Sequence, residues 1–402
     1  MMKRLLIALL FACFIVPAAS AEEEEWKISW NKNLKFSKTD GSTEIKLGGR
    51  IQQDFAVLAP SNGLKNKVPL NDDAGFGTEF RRVRIALAGK FVEDVIFKTQ
   101  YDFASKGNPV DDDTPGFKDV YIGVKGIPYF GTIKVGHMKE PLSQEMMQSS
   151  NDLTFMERGL SYMFVSDRNT GIRAENTAFD KNLTWQAGAF VPSGDKGYNP
   201  PRNDEFHLTA RVTGTPIFEM DEKSAHIVHL GLGSTYQFGK NTLQRFAARP
   251  ESDIAGKYIN TGVFERGDRF TFGAEAGYVY DSFALQGEYM GTSLESSYLH
   301  GGYAEASYYL TGEHRNYNRN LGKFNNRVDP LDKKIGAWQV ATRFSYLDAN
   351  DNDIRGGTEK NVTAGVNWFY RKNLKISLNY VWADIAPGGD LNIVQARTQI
   401  LF

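Results

Sequence analysis

One cysteine occurs in 402 residues, Cys13, and it lies within the apolar run that opens the chain. Loss of that run leaves no thiol, which excludes disulfides, zinc–cysteine sites and cysteine catalysis. Long hydrophobic runs are also missing: the longest, Leu5 to Val16, is shorter than the ~20 residues of a spanning helix. With Lys3 and Arg4 before it and Ala19-Ser20-Ala21 after it, residues 1–21 read as a secretory signal cleaved near Ala21. A lipoprotein site at Cys13 is the weaker alternative, because Phe11 fits poorly before it. Nor is there an excess of charge of one sign. Without Lys3 and Arg4 the 47 basic residues become 45 against 48 acidic ones, a net 45 − 48 = −3, so no nucleic-acid partner is expected. No Gly-x-Ser-x-Gly, His-Glu-x-x-His or phosphate-binding glycine loop occurs. His226 and His229, three apart on a strand, point to opposite faces and make no metal pair. The expectation is a protein without cofactor, metal or catalytic residues. Linkers, repeats and low-complexity tracts are absent as well, apart from the four glutamates Glu22 to Glu25.

What remains is a polar chain with 13% aromatic residues and 39 glycines, written in strands with a period of two. In residues 44–57, Ile45, Leu47, Ile51, Phe55 and Val57 alternate with Lys46, Arg50, Gln52 and Asp54. A second strand sets Val83, Ile85 and Leu87 against Arg82, Arg84 and Lys90, which leaves Arg81 with the opposite parity, toward the rim. A third sets Val95, Phe97, Tyr101 and Phe103 against Lys98, Gln100 and Asp102, and a fourth Val120, Ile122 and Val124 against Asp119, Tyr121 and Lys125. Continued to Phe402, the pattern yields about 16 strands. This even number returns both termini to one side and suits an all-β, antiparallel transmembrane barrel in which alternate residues face water. Residues 22–43 read as an extended periplasmic lead-in and 44–402 as the barrel. A barrel of this size is too wide for side chains to fill.

One insertion interrupts the pattern. Between the strand Gly131–Met138 and the run opened by Gly171 and Arg173 lies a segment with Leu142, Met146, Met147, Phe155 and Met156, together with Lys139, Arg158 and Arg168. Connections past about 12 to 15 residues are usually functional or disordered, and this one has enough apolar surface to pack on a wall. It is expected to fold into the barrel mouth. Two further long segments, 239–268 on the outer side and 312–334 on the periplasmic side, are rich in Arg and Lys, and parity does not say whether they enter the lumen.

The fragments FRRVRIALAGKF (80–91), KTQYDFAS (98–105), FKDVYIGV (117–124), VGHMKEPLSQE (135–145), FMERGL (155–160), DRNTGIR (167–173), YAEASYYLTGEHRNY (303–317) and GVNWFY (365–370) stand in an order and spacing that resembles the phosphate-selective porin O and P family. The resemblance spans nearly the whole mature chain. It implies a homotrimer of 16-stranded barrels in the outer-membrane bilayer, each with an inner loop and a narrow anion-selective pore. It also implies roles: Arg81 and Arg82 as the twin arginines, Lys139 as the lysine opening the inner loop, Asp102 as the acidic residue of the YDF run, and Arg158 and Arg168 as loop arginines.

Together with Arg84, Lys98, Lys125 and Arg173, these residues form the expected path for inorganic phosphate or other small anions. A constriction ringed by Arg and Lys selects anions, and the planar fork of Arg suits a pair of phosphate oxygens. Asp102, on the face of Lys98, is either a group that tempers binding so that the anion leaves or an ordinary wall salt bridge. A general diffusion porin is the alternative. The two differ in whether the basic segments narrow the pore.

Overall fold

The computed structural model describes residues 26–31, 33–67, 74–105, 115–194, 197–198, 205–240 and 242–402; the signal segment lies outside them. Sixteen antiparallel strands run up and down in chain order: β1 Glu44–Pro60, β2 Gly75–Phe91, β3 Val95–Asp102, β4 Gly116–Ile127, β5 Gly131–Lys139, β6 Arg168–Ala178, β7 Leu183–Val191 and β8 Phe206–Met220, then β9 Ala225–Phe238, β10 Arg269–Tyr280, β11 Phe283–Leu294, β12 Ser297–Tyr309, β13 Ala337–Asp351, β14 Ile354–Arg371, β15 Leu374–Ala386 and β16 Gly389–Leu401. β16 pairs with β1 from Leu391↔Pro60 to Leu401↔Arg50, which closes the ring and leaves it without an edge. The lead-in is more than extended chain. Trp26–Asn31 and Asn33–Lys38 form a hairpin whose second strand pairs with the start of β1, Leu34↔Leu47 to Ser37↔Glu44.

The period of two has the expected outcome. On β1, Gln52 and Asp54 are buried while Phe55 and Val57 are exposed on the outer wall, so polar side chains point inward and apolar ones outward. Aromatic residues gather toward both ends of the outer wall, with Phe206 stacked on Phe238 at 4.3 Å at one end and Trp338 on Trp368 at 5.6 Å at the other. Such belts sit at the headgroup level of a bilayer.

Two β-bulges alter the inward face. Gln52 pairs with Arg82 but Gln53 with Phe80, so Arg81 is an extra residue in β2. Likewise Thr99 pairs with Val120 but Tyr101 with Phe117, so Lys118 and Asp119 are both carried on the inner side of β4. Loop lengths depart from the expected alternation in the last third. The outer connections 295–296, 352–353 and 387–388 have two residues each, while the periplasmic one, 310–336, is long.

That long connection and two outer ones turn into the lumen. Inner-loop residues 140–167 cross to the far wall, where side chains of β1 and β13 to β16 grip main-chain oxygens in succession. Gln52 donates to Ser150 O, Gln399 to Asn151 O, Lys375 to Leu153 O, Asn367 to Thr154 O, Arg397 to Met156 O and Arg343 to Glu157 O. Near its start the loop makes one helical turn, Gln144–Met147, capped by Ser143 Oγ, which accepts from Met146 N at 3.2 Å. From outside, segment 239–268 brings Glu251 to the wall, where its carboxylate accepts from Arg343, Ser345 and Thr363. From the periplasm, the hairpin Asn316–Asn318/Lys323–Asn325 puts its tip under Arg211, which donates to Leu321 O at 3.2 Å and Gly322 O at 2.6 Å. An apolar cluster including Leu58, Leu160, Phe164, Phe246, Ile259, Leu391 and Ile393 fills the lumen where inner loop, outer segment and wall meet.

Candidate functional site

The opposite half of the lumen stays open. Against β1 to β6 lies a cavity of about 340 Å³ lined by twelve basic residues, Arg50, Arg81, Arg82, Arg84, Lys98, Lys118, Lys134, Lys139, Arg158, Arg168, Arg173 and Lys323, and by two acidic ones, Asp119 and Asp167. In a chain with 47 basic and 48 acidic residues, this is a strong local segregation of charge.

Strand geometry and the inner loop position the donors. Arg82, 3% exposed, donates to Gln52 Oε1 at 2.9 Å and lies 3.5 Å from Glu157. The bulge turns Arg81 in beside it rather than toward the rim, with Glu157 at 3.0 Å and Asp253 at 3.2 Å. Arg173 donates to Lys139 O at 2.8 Å and Glu175 at 2.7 Å, while Arg168 reaches Asp119 at 2.8 Å and Asp167 at 3.0 Å. Lys98 pairs with Asp119, and Lys134 with Glu175.

Four cations hydrogen-bond to neutral oxygens instead. Arg50 donates to Ser150 Oγ at 2.6 Å, Lys139 to Met146 O and Gln148 O at 2.5 and 2.8 Å, Arg158 to Glu145 O at 2.8 Å and Lys323 to Met147 O at 2.9 Å. These bonds orient the groups without cancelling their charge. Arg158 also stacks over Tyr162 at 4.5 Å. In the hairpin that enters from the periplasmic side, burial pushes the Lys323 ammonium down to about 8.

Two expectations need correction. Lys125 is exposed at the periplasmic end of β4 and does not line the cavity, because the strand runs out of the lumen before it. Asp102 does not face the cavity either. It accepts from Arg84 Nε at 2.6 Å and from Val83 N and Ala104 N, the wall salt bridge of the two readings. Arg50, Lys118, Lys134 and Lys323 were missing from the expected path. Arg50 and Lys134 carried the right parity; Lys118 was hidden by its bulge, and Lys323 by distance along the chain.

Residues 45–402 match the family described as phosphate-selective porin O and P. The chain is 26% identical over 385 residues to Porin O of Pseudomonas aeruginosa, covering 87% of this chain and 85% of that one. Among solved structures it resembles OprB of Pseudomonas putida, with TM-score 0.57, 11% identity and coverage of 90% and 95%. It also resembles OmpT of Vibrio cholerae in its trimer form, with TM-score 0.54, 12% identity and coverage of 90% and 100%. The structural likenesses concern the barrel alone.

Proposed function

The chain belongs to the phosphate-selective porin O and P family, an outer-membrane channel by fold, and from that premise we propose that it passes small anions, inorganic phosphate among them, by diffusion through the basic cavity. The observation that carries this reading is the twelve-to-two ratio of basic to acidic residues around a cavity of about 340 Å³. An anion entering there exchanges water for N–H donors fixed by the wall. A unit charge about 4 Å away is worth on the order of 1 kcal/mol in bulk water and about 4 kcal/mol at an effective dielectric near 20. Walls of low dielectric focus that field on the narrowest point.

In this reading Arg82, Arg81 and Arg84 line the cavity from β2, Lys98, Lys139, Arg168 and Arg173 from β3, β5 and β6, and Arg158 from the inner loop. Arg50, Lys118, Lys134 and Lys323 are added to the path. Each protomer holds its own cavity, and three protomers in the outer membrane form the assembly, as the resemblance implies. Residues 1–21 serve as the export signal.

The test is conductance in planar bilayers. Zero-current potentials in a potassium chloride gradient should report anion preference, and inorganic phosphate should block the chloride current. Arg82→Gln combined with Lys139→Gln should weaken that block roughly tenfold, whereas Lys125→Gln, exposed at the periplasmic end of β4, should leave it unchanged. A wild-type channel indifferent to the sign of the ion would instead favour a general diffusion porin.

A further inference from the structure

The two carboxylates of the cavity are engaged differently. Asp119 is spent on the wall: its Oδ1 accepts from Arg168 Nε at 2.8 Å, its Oδ2 holds Lys98, and its side chain is 14% exposed. Asp167, where the inner loop rejoins β6, has a side chain 45% exposed. Its Oδ1 accepts from Arg168 Nη1 at 3.0 Å and Tyr162 Oη at 3.2 Å, and its Oδ2 from Arg168 Nη1 at 3.1 Å. An ionised carboxylate offers about four acceptor sites, so the exposed side chain keeps acceptor capacity toward the cavity.

We propose that Asp167 makes the channel prefer protonated phosphate to sulfate, by accepting the hydrogen bond of a P–OH group while the surrounding cations hold the other oxygens. The inference rests on the anion-channel reading above and adds a specificity that the cations alone do not supply. Arg and Lys attract phosphate and sulfate by the same field. An acceptor separates them. Phosphate carries a P–OH throughout the neutral range, whereas sulfate carries none and would set a bare oxygen against the carboxylate. Sites built to bond one particular proton reject analogues that lack it, and here the analogue also sets a negatively charged oxygen against a carboxylate.

The carboxylate is available in its ionised form. Enclosure in the lumen pushes its pKa up, but Arg168, Lys139, Lys118 and Arg158 outweigh that and hold it well below the ordinary range. It therefore acts as an acceptor only.

The experiment uses the full-length mature channel in planar bilayers near neutral pH, with inorganic phosphate and sulfate titrated separately against the chloride current. The wild type should be half-blocked at a lower concentration of phosphate than of sulfate. Asp167→Asn, which turns one acceptor atom into a donor, should shrink the ratio of the two concentrations by roughly tenfold. Asp167→Ala should shrink it as well, with anion preference retained in both. Lys139→Gln should weaken block by both anions alike. An unchanged ratio in both Asp167 variants, or a wild-type channel that is anion-selective yet blind to the difference, overturns this inference while the channel reading stands. A wild type with no anion preference overturns both.

Discussion

At Glu157 three guanidinium groups meet a single carboxylate: Arg397 at 2.7 Å, Arg81 at 3.0 Å and Arg82 at 3.5 Å. Two of the three line the cavity, so this glutamate sets how much of their charge an anion feels. Glu157→Gln should therefore strengthen phosphate block. It should also destabilise the loop by about 3 kcal/mol, because three guanidinium groups, two of them buried, lose a charged partner they share; the check is the temperature at which the folded band converts to the unfolded one on gels. The pH dependence has a definite sign. Burial raises the pKa of Glu157, but Arg81, Arg82 and Arg397 outweigh it and hold the carboxyl well below the ordinary range. Its stabilisation is thus complete above the ordinary carboxyl pKa of ~4.3 and is lost as pH falls through the depressed one. The wild type should show an acid step in thermal stability below about pH 4, and the glutamine variant should lack this residue's share of it.

Among the elements, the inner loop is the one that the proposed channel relies on to set its width. Deleting residues 145–160 removes most of the helical turn and all six gripped oxygens, and chloride conductance should rise severalfold with weaker phosphate block. Unchanged conductance in a folded channel would mean that another segment sets the constriction. The strands themselves were legible because alternation is imposed by the two solvents on either side of the wall. Ile51, Phe55 and Val57 meet lipid, and Arg50, Gln52 and Asp54 meet the lumen. Parity fails wherever an extra residue is inserted, since a bulge leaves no mark in the hydrophobic pattern. For that reason the alternation sets Arg81 toward the rim and leaves Lys118 off the inner face. For Asp102 the alternation leaves two readings open, and its bond to Arg84 decides for the wall salt bridge. Contacts as remote as Lys323 with Met147, 176 residues apart, belong to the folded lumen and to no local pattern.

For the whole molecule, closure of the ring depends on one seam. Gly49 N donates to Phe402 O at 2.6 Å and Phe402 N to Gly49 O at 3.2 Å. A Cβ on Gly49 would stand 2.5 Å from Arg84 O and 2.6 Å from the Phe402 ring, with main chain on one side and the last residue on the other. Gly49→Val should keep the final strand from docking, with loss of the heat-modifiable folded band and of sheet circular dichroism in refolded material. Full retention of both would show that the seam tolerates the added bulk.

The wall's grip on the inner loop has a further consequence. It takes hold of the oxygens of residues 150, 151, 153, 154, 156 and 157, atoms that every amino acid possesses. This part of the hold is thereby independent of side-chain identity, alongside the side-chain anchors Thr154 and Glu157. A lineage, or a protein engineer, can rewrite cavity-facing side chains such as Ser149 and Ser150 while the ribbon that presents them stays where it is. The barrel is in this sense a chassis, and a new permeant can be accommodated by point changes on a fixed mount.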